Sequence, residues 1–299
     1  MTVLLEPQRL PVWAVIQCAM DIEAAPFLAY LTDISTQVVI GGAAFNSSSS
    51  EELGAEESAS LEETPTKNGR QTFRLGTWKG RPVLVVTSGI GLANSASATA
   101  RALMMVDPQV VIAAGTAGGL ATSVNVGDVV IATSAVFNAA DATAFGYVRG
   151  QVPGMPPVFR TSLALEALAQ RVILHHSHAS TEEQDAINTS TGSTHTAGTY
   201  AFLSGEAISG DSFVTAVNVG TMRDDFPRAL TTDMETAALA QVAWSAGVDW
   251  VMIRAVSDLC GPAADQDFHM DAEQASQHSC HAVEAFLEAM ASTPAHQHE

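Results

Sequence analysis

Short, nearly continuous apolar runs recur along the chain, at residues 12–17, 83–87, 110–114 and 250–255. Such runs suit strands covered on both faces, because a strand with one wet face alternates apolar and polar residues. A fifth strand is expected at 129–133, behind the turn Val126-Gly127-Asp128, and a shorter mixed run lies at 201–208. Between the runs the period changes. Residues 95–105 are Ala-rich with helical spacing, and 162–173 set Leu163, Leu165, Leu168 and Val172 along one broad face. Residues 234–246 and 273–290 also read as helices. Strands alternating with helices predict an α/β domain with a mostly parallel core sheet, whose ligands gather at the carboxyl ends of the strands.

Two polar tracts interrupt the pattern. Residues 46–69 hold six Glu, one Lys, many Ser and no aromatic residue, too little apolar surface to offset the entropy of ordering. Residues 176–200 are similarly rich in Ser, Thr and Gly. Both are expected to be disordered or mobile surface excursions. The chain of 299 residues is long enough for one large domain or two small ones. The βα pattern resumes after each tract, which favours one domain over 11–291 with a polar tail at 292–299.

Charge narrows the function. Lys and Arg number 13 against 32 Asp and Glu, a net −19, so the chain lacks the clustered positive charge that a nucleic acid or an anionic membrane surface requires. No apolar run approaches the roughly 18 residues of a membrane span. The first ten residues show no basic cluster followed by an apolar run, so no signal peptide is expected. Cys18, Cys260 and Cys280 form no C-x-x-C pair, which argues against a disulfide framework and for a reducing compartment. A soluble, cytoplasmic protein acting on a small molecule is the class that fits. His175, His176 and His178 have the look of a metal cluster, but their polar surroundings favour solvated loop histidines, and no metal site or cofactor is expected.

The strand ends carry the candidate chemistry, each feature with a bland reading beside it. Asp21 and Glu23 follow the first strand, where they could simply complement a helix N-terminus. Ser88-Gly89-Ile90-Gly91 follows the second, a turn able to offer backbone N–H groups to an anion, or only a tight turn. It is not the dinucleotide fingerprint, since Asn94 stands where a third glycine belongs, and no Gly-Lys-Ser/Thr follows to make a P-loop. Gly115-Thr116-Ala117-Gly118-Gly119 permits close approach of backbone or ligand. Phe213, after Ser209-Gly210-Asp211-Ser212, could be core or a platform for a flat base. Asp233 could be only the N-cap of the helix in which Glu235 sits, and Asp258 could ion-pair with Arg254 or act as a general acid.

Taken in order, Ala19-Met20-Asp21-Ile22-Glu23, Ser88 to Gly91, Gly115 to Leu120, Asp141-Ala142-Thr143-Ala144-Phe145-Gly146-Tyr147, Ser209 to Phe213, Asp233-Met234-Glu235 and Arg254-Ala255-Val256-Ser257-Asp258 resemble the 5′-methylthioadenosine/S-adenosylhomocysteine nucleosidases of the nucleoside phosphorylase-like superfamily. The motifs span residues 12–290, and the polar tracts and the longer N-terminus depart from the pattern without touching a motif. The resemblance implies a single domain with a mixed, partly parallel sheet closing toward a barrel, surrounded by helices. It implies cofactor-free hydrolysis of the N-glycosidic bond of adenine thionucleosides, and a homodimer. Asp258 then matches the acid that protonates adenine at N7, and Glu23 the base that binds the attacking water, with Arg254 orienting both. Glu235, beside Met234 and Asp233, matches the ribose contact, Phe213 the stacking platform and the Val214 backbone the contact to the adenine edge. Ser88, Gly89 and Ser257 fall along the cleft, and Met20 with apolar residues near Phe137, from this chain or a neighbouring subunit, in the 5′ pocket.

Two other functions compete. A purine nucleoside or methylthioadenosine phosphorylase on the same fold needs cationic groups for phosphate, yet Ala113 stands where hexameric phosphorylases place an Arg, and Glu23 would repel the anion. A non-catalytic nucleoside-binding protein has no need of Glu23, Glu235 and Asp258 together. The acidic tract lies outside every motif, so replacing residues 47–67 with a short Gly/Ser turn is expected to alter loop-closure entropy by only about a kcal/mol. Adenine release by that deletion variant should match the full chain. A collapsed kcat in a folded variant would show the tract to be a lid.

Overall fold

The computed structural model describes residues 9–37, 39–40, 43–44, 71–189, 200–260 and 270–292. The chain opens with β1 (Leu10–Val12), β2 (Ala14–Cys18), α1 (Asp21–Tyr30), β3 (Thr32–Gln37), β4 (Val39–Ile40) and β5 (Ala43–Ala44). It continues through β6 (Thr72–Trp78), β7 (Arg81–Thr87), α2 (Leu92–Met105), β8 (Val106–Pro108), β9 (Val111–Gly119), β10 (Val129–Phe137), β11 (Phe159–Arg160) and α3 (Leu163–Thr189). Then come β12 (Phe202–Ser209), α4 (Val219–Asp225), β13 (Ala229–Asp233), α5 (Thr236–Ala246), β14 (Trp250–Leu259) and α6 (Ala272–Ala291).

The continuous apolar runs are strands with both faces covered: every residue of β2 is buried, as are all of β10 except Phe137. The sheet is mixed where the run pattern alone predicts mostly parallel. β9, β14, β10, β12 and β13 close on one another into a five-stranded barrel, because β14 pairs with both β10 and β9 while β13 pairs with β12 and β9. Of the five joints, β9–β14, β10–β12 and β12–β13 are parallel, and β10–β14 and β13–β9 are antiparallel. From β9 the sheet extends outward through β2, β7, β6 and β3. One apolar layer joins the sheet to α1, α3 and α6 through Phe27, Leu168 and Phe286, and a second joins it to α2 and α5 through Leu103 and Leu239. No helix among the described residues is long and apolar enough to cross a membrane.

Three expectations change. α3 does not stop near residue 173 but runs to Thr189, so 176–189 is helix and not a loop excursion. Its packed face continues past Val172 through Ile173 and His176, and the Glu, Gln and Ala residues beyond favour helix. His176 is therefore no solvated loop residue: its ring stacks on Phe202 at 3.7 Å, and its Nε2 lies 3.0 Å from the Tyr200 carbonyl oxygen. Leu163 leaves the predicted apolar face and is 83% exposed, while Leu165, Leu168 and Val172, spaced three and four apart, are buried. The tract 46–69, residues 190–199 and the tail after 292 lie outside the described residues.

The turn before β10 is tied by Asp128. Its Oδ2 accepts from Asn125 N at 2.9 Å and its Oδ1 from Ala201 N at 2.9 Å, while its backbone oxygen accepts from Val256 N at 2.8 Å. One carboxylate thus joins the entries to β10 and β12. Asp128→Ala leaves two N–H groups short of a partner and should lower the unfolding free energy by about 1–3 kcal/mol. Urea denaturation measures this, and an unchanged midpoint would contradict it.

Candidate active site

Glu23 lies in the first turn of α1 and is 1% exposed. A buried carboxylate is tolerable only when its oxygens are fully engaged. Oε2 accepts from Ala19 N at 2.9 Å and Met20 N at 3.0 Å, closing the helix on its own N-terminus. Oε1 accepts from both the backbone N–H and the hydroxyl of Thr116, each at 2.8 Å. The helix-end reading of Glu23 is thus half of its role, and the other half comes from β9, some ninety residues away. Gly115 makes the approach possible. Its φ is +119°, and a Cβ there would stand 2.5 Å from the Glu23 carboxyl, so the glycine run serves contact with a protein side chain.

Arg254, on β14, is 2% exposed. The sequence assigns it to Glu23, but its guanidinium turns elsewhere. Nη1 donates to the Thr116 carbonyl oxygen at 2.8 Å and lies 3.2 Å from Glu235 Oε2. Nε is 3.5 Å from Asp233 Oδ2, an ionic contact without hydrogen-bond geometry. Glu23 is already engaged by four donors, which leaves Arg254 to Asp233 and Glu235. Burial opposes the Arg254 charge, but Asp233, Glu235 and Glu23 together hold its pKa above the usual guanidinium value.

Asp233 ends β13 and organises the start of α5. Its Oδ1 accepts from Ser209 Oγ at 2.5 Å, Glu235 N at 3.1 Å and Thr236 N at 3.0 Å, and its Oδ2 accepts from Thr236 Oγ1. Asp233 is not the N-cap, which is Glu235; it lies two residues earlier at the end of β13, and its side chain bonds the N–H groups at the helix start and so fixes Glu235. Glu235 Oε1 accepts from Gly91 N at 2.9 Å. Burial pushes the Glu235 carboxyl up from its ordinary range, against the pull of Arg254. Beside it, Leu92 N donates to Asp211 Oδ1 at 2.8 Å. The anion seat that the Gly89–Gly91 turn offers at the head of α2 is therefore filled by two of the protein's own carboxylates.

Asp258 reaches the site through an irregularity. The register of β14 against β9 slips between Val256 and Asp258, a bulge of the kind that re-aims side chains near binding sites. Asp258 is 8% exposed, and its Oδ2 accepts from Ser257 Oγ at 3.0 Å. The result is a cavity of about 230 Å³. Met20, Glu23, Phe213, Val214, Asp233, Met234, Glu235, Arg254, Ser257 and Asp258 all line it, ten of the twelve residues picked from sequence. Phe213 is exposed in the described chain, a face at the mouth and not a core residue.

Ser88 and Gly89 do not line the cavity. The Ser88 hydroxyl donates within its own turn to the Gly89 oxygen at 2.8 Å and its N–H to Cys18 O at 2.8 Å, so the turn serves as a joint to β2 and Ile90 reaches the cavity instead. Phe137 is likewise absent from this chain's cavity and packs edge-on against Phe159. Thr116, Thr232 and Cys260 line the cavity unforeseen; the glycines around Thr116 were the available signal, whereas a Thr and a Cys at strand ends carry none. Among the described residues no three His, Cys, Asp or Glu are grouped to hold a metal.

This arrangement has close counterparts. The family model of the Phosphorylase superfamily matches residues 15–291. The chain is 38% identical to the 5′-methylthioadenosine/S-adenosylhomocysteine nucleosidase of Bacillus cereus (strain G9842) over 227 residues, 76% of this chain and 89% of that protein. Two solved nucleosidases of the same name superpose with a TM-score of 0.71. That of Neisseria meningitidis, in complex with methylthio-immucillin-A, is 29% identical and covers 93% of this chain and 98% of its own. That of Colwellia psychrerythraea 34H, in complex with adenine, is 28% identical and covers 95% and 97%. The chain belongs to the 5′-methylthioadenosine/S-adenosylhomocysteine nucleosidase family of the phosphorylase superfamily.

Proposed function

We propose that this protein hydrolyses the N-glycosidic bond of 5′-methylthioadenosine and S-adenosylhomocysteine, and of 5′-deoxyadenosine as a related substrate, releasing adenine. The observation that carries the reading is one small cavity walled by three buried carboxylates with different partners, Glu23, Glu235 and Asp258, below an exposed aromatic face. Adenine leaves poorly as an anion, so Asp258 delivers a proton to N7 as the bond lengthens. The ribosyl group gains cationic character, and Glu235, held between Gly91 N and Arg254, supports it while binding the ribose hydroxyls. Glu23 takes a proton from the water that attacks the anomeric carbon. Its four donors fix its orientation in advance of the reaction. Phe213 stacks on the base, and the Val214 backbone meets its edge.

The same geometry speaks against phosphate as nucleophile. Arg254 is committed to Glu235 and Asp233, Ala113 is buried inside β9, and Glu235 and Asp211 occupy the N–H groups at the head of α2. A dianion would meet carboxylates at Arg254 and at the head of α2, and no cation at position 113.

A homodimer fits the apolar surface beside the site. Phe137, Leu92, Ala96, Ala238 and Val242 line an open groove along α2 and α5, and Ile90 and Phe145 are exposed. A second copy seated there covers this surface and brings apolar residues to the 5′ end of the nucleoside. Three free, buried cysteines suit a cytoplasmic protein.

Asp258→Asn should slow adenine release by about a thousandfold or more, since an amide does not donate the proton. Glu23→Gln and Glu235→Gln should also be severely impaired while their circular dichroism stays that of the parent chain. Near-normal hydrolysis of methylthioadenosine by Asp258→Asn would remove the leaving-group step. In phosphate-free buffer, turnover should proceed and yield free 5-methylthioribose, with no sugar 1-phosphate when phosphate is added. Strict phosphate dependence with a ribose 1-phosphate product would move the protein to the phosphorylases.

A further inference from the structure

Glu23 and Arg254 act on opposite partners of the proposed reaction, yet both hold the same residue. Glu23 takes the N–H and hydroxyl of Thr116, and Arg254 donates to its carbonyl oxygen. The position of this one residue therefore sets where the water-binding carboxylate and the ribose-side cation stand. Thr116 stands in register with Ala255 of β14 and follows Gly115, whose φ of +119° departs from ordinary strand geometry.

A second restraint, on the Gly115 N–H, comes from behind. Ser279, on α6, is fully buried and does not line the cavity. Its Oγ accepts from Gly115 N at 3.0 Å and donates to the Ile253 carbonyl oxygen at 2.7 Å. Gly115 is the register partner of Arg254, and Ile253 precedes Arg254 on β14. One hydroxyl thus ties the residue before Thr116 to the residue before Arg254, with both of its hydrogen-bonding roles used. Ser276, one turn earlier and equally buried, differs: its Oγ donates only to Ala272 O within α6.

We infer that Ser279 is a positioning residue for the reaction, holding the Gly115–Thr116 segment so that Glu23 and Arg254 keep their relative placement. This rests on the reading of Glu23 as the base. α6 then belongs to the catalytic apparatus through a residue that touches no substrate.

The test is a set of variants of the full chain, assayed by adenine release from methylthioadenosine. Ser279→Ala should lower kcat by about tenfold to a hundredfold, the scale expected when a reacting group is misplaced by an ångström or less, with KM nearly unchanged. Ser276→Ala should retain the parent kcat. In a Glu23→Gln background, Ser279→Ala should add little further loss, because groups that act as a unit are not additive. Ser279→Cys, close in shape with a weaker donor and acceptor, should show the same kcat-selective loss to a smaller degree and serves if Ser279→Ala does not fold. An unchanged kcat in the folded Ser279 variant, or a full additive loss in the Glu23→Gln background, overturns the inference. A Glu23→Gln enzyme that stays fully active instead overturns the reading of Glu23 itself.

Discussion

The site depends on keeping four carboxylates, those of Glu23, Asp233, Glu235 and Asp258, inside one cavity around a single guanidinium. Opposite charges about 3 Å apart attract by roughly 5 kcal/mol at an effective dielectric of about 20. Desolvating each ion costs several kcal/mol, so Arg254 does not offset the burial of all four. The balance comes from fixed main-chain donors. Glu23 uses the head of α1 and the Thr116 N–H, Asp233 the head of α5, and Glu235 the N–H of Gly91 before α2. Three helix N-termini are aimed at one space, and their partial positive charge takes the place of lysines and arginines. A protein of net charge −19 can in this way keep these carboxylates buried in one cavity without a basic site beside it.

The barrel explains how so many strand ends reach that space. β9 and β13 run antiparallel, which ordinarily places carboxyl ends at opposite edges of a sheet. They overlap only through Gly118–Gly119 and Thr231–Thr232, close to the carboxyl end of each strand. Both groups of strands therefore deliver into the same cavity: β9 brings Thr116, β14 brings Ser257 and Asp258, and β13 brings Thr232 and Asp233. The glycines at 118 and 119 let the end of β9 lie close against the end of β14. A Cβ at Gly118 would come within 2.7 Å of Cys260 Sγ, and one at Gly119 within 2.8 Å of a Leu259 methyl.

The close placement of donor and acceptor also fits hydrolysis. Water is small and neutral and needs only one oriented acceptor, whereas phosphate needs a basic cradle. The head of α2, which in a glycine-rich turn is an open seat for an anion, is here closed by Glu235 and Asp211 from two different walls. The same contacts that stabilise the acids thereby leave no free main-chain seat for an anion at Gly91 N and Leu92 N.

β2, β7, β9, β10, β12 and β14, the helices α2, α5 and α6, the start of α3 and the chemical identity of ten cavity residues are legible in the sequence, because burial on both faces and helical period are local patterns, and because the ordered motifs mark the strand ends; β3, β6, β13 and α4, whose patterns are mixed or short, are not. The pairing of charges is not. Arg254 and Glu23 are both near strand ends, and no local rule says that Thr116 stands between them or that Arg254 faces Glu235 and Asp233. Ser88 and Gly89 bear the right motif, yet the turn's conformation directs their hydrogen bonds back to β2 and leaves Ile90 at the cavity. The mixed sheet and its closure likewise depend on which edges of β14 and β13 find partners. The sequence by itself determines which residue types stand at each strand end, since that is a matter of order along the chain. Which of them share a hydrogen bond was decided only by tertiary structure, since contacts such as Ser279 to Gly115 join residues that only the barrel's closure and the packing of α6 bring within 3 Å.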